Sequence, residues 1–106
     1  MFAATKLIII TERILLDKIT ALVEEMGATG YTYSAVGGKG SRGKRTQSRA
    51  HVSGLQANVK IEVVVSGHDV AEKIAEALAA RFFEHYSGIV YVEAVEILRP
   101  AKFRVE

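Results

Sequence analysis

Residues 5–27 read TKLIIITERILLDKITALVEEMG, and they decide the fold. Thr5 to Thr11 is short, β-branched and almost continuously apolar, which is the pattern of a buried strand. From Glu12 to Met26 the period changes. Leu15, Leu16, Ile19, Leu22, Val23 and Met26 recur three and four apart, so they line one face of a helix. Gly27 is a natural terminator for it. A strand that turns directly into an amphipathic helix is half of a β-α-β unit.

Working outward, the same order recurs. GYTYSAV, residues 30–36, reads as a second strand and LQANVKIEVVV, residues 55–65, as a third. SGHD then opens a second helix, with Ser66 or Asp69 available as its cap. Val70, Ile74, Leu78, Phe82 and Phe83 form its core stripe, padded by Ala71, Ala75 and Ala79. GIVYVEAVEIL, residues 88–98, is a fourth strand that alternates outward at Tyr91, Glu93 and Glu96. The whole is β-α-β, loop, β-α-β. That predicts an α+β, ferredoxin-like βαββαβ fold: a four-stranded antiparallel sheet with two helices on one face. Tyr31, Tyr33, Val90 and Val92 are expected on the other face, which would be too apolar to stand in water. A homo-oligomer follows as an expectation.

Bulk properties bound the class. The chain has 106 residues, 49% of them apolar, and one domain is the expectation over residues 1–106. With no cysteine there are no disulfides, thiolate nucleophiles or cysteine-held zinc sites. MFAATKLIIITER does not read as a signal peptide, and no apolar run approaches the roughly 20 residues of a membrane span. A soluble, cytoplasmic protein is expected.

The formal net charge of +2 conceals an asymmetry. No acidic residue lies between Met26 and Glu62. Lys39, Arg42, Lys44, Arg45 and Arg49 all fall in AVGGKGSRGKRTQSRAHVSG, residues 35–54, which also holds five of the nine glycines. Such a loop suits an anionic ligand or partner; the competing reading is a solvated surface loop. GKGSRGK, residues 38–44, matches the first seven positions of a phosphate-binding G-x4-G-K loop, but Arg45 stands where serine or threonine would hold magnesium. No helix follows it either, so the nucleoside triphosphatase reading fails. The reason that glycines suit phosphate remains. Gly37, Gly38 and Gly40 let backbone amides approach oxygens, Ser41 adds a hydroxyl, and Arg42 and Arg45 can each fork onto a phosphate. A nucleic-acid reading is weaker, because the strand after the loop carries no aromatic residue on which a base would stack. For catalysis the inventory is thin. His51, His68 and His85 lack the spacing of a metal pair, and Ser41 has no predictable base. No catalytic residue and no metal ligand is assigned.

Taken together, KLIIITERILLDKI, GATGYT, GGKGSRGKR, LQANVKIEVV and HYSGIVYV, in that order, resemble the PII-like signalling proteins, in particular the SbtB family of cyanobacteria. The resemblance covers nearly the whole chain. It implies a non-enzymatic homotrimer that binds adenyl nucleotides (cyclic AMP, AMP, ADP and ATP) in clefts between subunits, and leaves open a divalent cation with ATP. It implies that the long T-loop, here residues 36–54, engages and restrains the sodium-dependent bicarbonate transporter SbtA in the carbon-concentrating mechanism. The protein would then be peripheral at the inner membrane when bound to the transporter, with no nucleic-acid partner. Carried over by position, Gly40, Ser41, Arg42 and Arg45 resemble the phosphate-side residues at the T-loop base, with Lys39 beside them. Gly88 resembles the backbone contact made by the neighbouring subunit. Some members of that family end in a cysteine-glycine-proline loop; this chain ends LRPAKFRVE, so redox control by that route is not expected. Arg99, Lys102 and Arg104 in this tail are read as solvated.

Overall fold

The computed structural model describes residues 1–39 and 57–99. The strands are β1 (Phe2–Glu12), β2 (Thr32–Val36), β3 (Asn58–Val65) and β4 (Gly88–Ile97), and the helices are α1 (Leu16–Glu25) and α2 (His68–Arg81). The strands form one antiparallel sheet in the order β2-β3-β1-β4. The two crossovers through α1 and α2 therefore interleave the halves of the chain, as the ferredoxin-like reading requires. Among the described residues, β2 and β4 are its free edges.

The helical side of the sheet holds the core. Leu7 and Ile9 of β1 and Val59, Ile61, Val63 and Val65 of β3 pack with Ile19, Leu22 and Val23 of α1 and Ala71, Ile74 and Leu78 of α2. All these are buried. The predicted stripes of both helices thus meet the predicted strands, with Leu15, Phe82 and the half-buried Val70, Ala75 and Phe83 completing the packing.

Four sequence expectations need correction. Glu12 is not the first residue of the helix; β1 runs through it, a 3-10 turn covers Arg13–Leu15, and α1 starts at Leu16. The cause lies in the partner of Glu12, described below. Neither Ser66 nor Asp69 caps α2: its N-cap is Gly67, with no side-chain cap hydrogen bond, and Asp69 lies in the first turn. An anionic side chain there still suits the positive end of the helix dipole.

The third correction concerns the sheet faces. Directly opposed residues of antiparallel strands share a face. Tyr33 opposes Ile61, Val90 opposes Ile9, and Val92 opposes Leu7, so all three project on the helical side rather than the open one. The open face has other apolar groups. Phe2, Ile89 and Tyr91 are 52%, 57% and 41% exposed on it. Glu96 is the fourth: it opposes Ala3 and so falls on the helical side, unlike Tyr91 and Glu93.

Gly27 terminates α1 as expected, at a φ of 107°. The amide of Ala28 donates to the carbonyl of Val23 at 3.0 Å and that of Gly27 to Glu24 at 3.1 Å. These bonds take up carbonyls that the helix end would otherwise leave unpaired.

Candidate functional site

The register fixes where the candidate residues stand. Val36, the last residue of β2, opposes Asn58, the first of β3, and Asn58 in turn opposes Glu12, the last of β1. On the far side of β1, Thr11 opposes Gly88, the first residue of β4. One end of the sheet therefore carries the roots of the basic loop and the start of β4 together. Gly37, Gly38 and Lys39 are exposed on the outgoing root. A Cβ added at Gly37 or Gly38 would meet nothing within 4 Å, so the backbone there is open to a ligand. Gly40, Ser41, Arg42 and Arg45 lie outside the described residues, as do His51 and the tail from residue 100 onward.

The turn before β4 is held by side chains of β1. The hydroxyl of Thr11 donates to the carbonyl of Ser87 at 2.7 Å, and the amide of Ser87 donates to Oε2 of Glu12 at 2.6 Å. Both backbone hydrogen-bonding groups of Ser87 are thus taken by β1. The Ser87 carbonyl and the Gly88 amide belong to one planar trans peptide, so they point in opposite directions. With the carbonyl turned in towards β1, the Gly88 N–H is turned out towards the free edge of the sheet. Gly88 itself is exposed, and Phe83 closes its inner side.

Nothing in the residue pattern singles out Glu12, Thr11 or Ser87. A carboxylate at the end of an apolar strand reads as the first turn of the following helix. Only the long-range pairing of β1 with β4 shows its target. Glu12 is 2% exposed, and its Oε1 is buried with no hydrogen-bond partner among the described residues.

The open face carries a line of charges across three strands. Lys6 on β1 reaches Glu93 on β4 at 3.2 Å and Glu62 on β3 at 4.0 Å, and Lys60 reaches Glu62 at 3.5 Å. At the start of α2, His68, Asp69 and Glu72 offer ligand atoms within 4.8 Å of one another, all on exposed side chains. His68 and Glu72 are one helical turn apart, the spacing of a surface ion pair. His85 is exposed in the turn after α2. No helix among the described residues is long and apolar enough to cross a membrane.

The family model for nitrogen regulatory protein P-II matches residues 4–102, and the chain belongs to that family. Among solved structures, it is similar to a PII-like signalling protein from Thermus thermophilus. The two are 33% identical over 96% of each chain, with a TM-score of 0.78. It is similar also to CPII from Thiomonas intermedia bound to ADP, AMP and acetate, at 30% identity, a TM-score of 0.78, and coverage of 97% of this chain and 96% of that one. The same Thiomonas protein bound to ADP and bicarbonate matches at 29% identity and a TM-score of 0.77, over 97% of this chain and 96% of that one.

Proposed function

We propose that this protein is an adenyl-nucleotide-sensing regulator of the SbtB type. In this reading it takes cyclic AMP, AMP, ADP and ATP as ligands, and their binding controls the hold of residues 36–54 on the bicarbonate transporter SbtA. The observation that carries the reading is the convergence at one sheet end of the root of the glycine-serine-arginine loop with an outward-turned Gly88 amide. Amides and arginines together are what a phosphate requires.

Within one chain those two elements are separated. From Val36 to Gly88 there are three strand spacings, roughly 14 Å. A phosphate touched from both sides needs them closer. Packing the β4 edge of one copy beside the β2 edge of the next would achieve this, so the reading includes a homotrimer with ligands between subunits. The phosphates would meet Lys39, Gly40, Ser41, Arg42 and Arg45 from one copy and Gly88 from its neighbour. The ADP and AMP in the Thiomonas relative, which aligns over almost the whole chain, support adenyl nucleotides as the ligand class. The role is regulatory, with no bond made or broken, and it places the protein in the cytoplasm, at the inner membrane when the transporter is engaged.

Titration calorimetry tests the ligand. Cyclic AMP, AMP, ADP and ATP, with and without magnesium, should bind in the micromolar range or tighter, and a short single-stranded RNA should not. RNA binding in the absence of nucleotide binding would replace this reading with a nucleic-acid adaptor. The partner is tested by capture of detergent-solubilised SbtA on the immobilised protein. Retention should change between cyclic AMP and ADP, and a transporter that never binds would remove the SbtA assignment while leaving nucleotide sensing intact.

A further inference from the structure

We draw no further inference here: the strongest candidate, the exposed side-chain cluster of His68, Asp69 and Glu72 in the first turns of α2, is a helix N-terminus with two carboxylates and a histidine in ion-pair range of one of them, and no other feature of the described residues points to a ligand there.

Discussion

At the scale of single residues, two positions carry opposite kinds of constraint. Gly88 is constrained by space. A methyl group there would run into the Phe83 ring, whose Cζ and Cδ1 lie 2.6 and 2.7 Å from its place. Phe83 is packed against the core, so it cannot simply swing out. Gly88→Ala should therefore cost about 1–3 kcal/mol of stability, as overpacking does. By displacing the outward amide it should also weaken ADP by tenfold or more. A variant with wild-type melting and wild-type ADP affinity would show that the ring yields freely. The constraint proposed for Arg45 is chemical instead. Arg45→Ala should remove a charge-assisted hydrogen bond of roughly 1.5–3 kcal/mol, or about ten- to a hundredfold in affinity. Arg45→Lys should recover only part of this, because lysine lacks the planar fork. Calorimetry with cyclic AMP decides it, and unchanged affinity for Arg45→Ala would take that residue out of the site.

Elements show which part of this is legible from residue order and which is not. The alternation of period between residues 5–11 and 12–26 gives strand and helix correctly, because the burial that selects those periods is local to each element. The left-handed end of α1 is legible for the same reason. At a φ of 107° Gly27 tolerates no side chain without strain, so Gly27→Ala should destabilise by about 1–2 kcal/mol in urea titration, without touching ligand affinity. A loss of ADP binding in that variant, with stability unchanged, would contradict this purely structural role. What residue order does not reveal depends on partners distant in the chain. Apolar character alone points Tyr33, Val90 and Val92 to the open face, and only the pairing of β3 with β2 and of β1 with β4 puts them on the helical one. Glu12 looks like the start of a helix because it follows an apolar run and precedes an amphipathic one. The Ser87 amide, 75 positions away, draws it into the sheet instead. Gly88 and Lys39 enter the proposed site through resemblance. The clamp that aims Gly88 cannot be read from residue order, since threonine, glutamate and serine at those positions make no local pattern.

For the whole molecule, the open sheet face raises the question of assembly. Ile8, on β1 and on that face, is 1% exposed, whereas Ile89 and Tyr91 of the edge strand β4 are roughly half exposed. The apolar surface is therefore unevenly covered, and the uncovered part lies beside the free edge. Beside it runs the Lys60–Glu62–Lys6–Glu93 line, whose side chains are 27% to 56% exposed. In the isolated chain such pairs contribute little, about 0–1 kcal/mol each. Buried between copies they would contribute specificity, because an unmatched charge in a dry contact is far more costly than one in water. Sedimentation should accordingly give a trimer at micromolar concentration. Tyr91→Glu should shift the protein to monomer by placing a new charge in the apolar part of the contact, while circular dichroism remains that of the folded chain. Lys6→Ala should weaken assembly more than folding, since it removes the cation that pairs with Glu93 and leaves Glu62 to Lys60 alone. If the sites lie between subunits, ADP binding must disappear with the trimer in Tyr91→Glu, and raising the protein concentration should restore both together. A monomeric Tyr91→Glu that kept full ADP affinity would place the ligand within a single chain, and a wild-type monomer would leave the open face without the partner inferred for it.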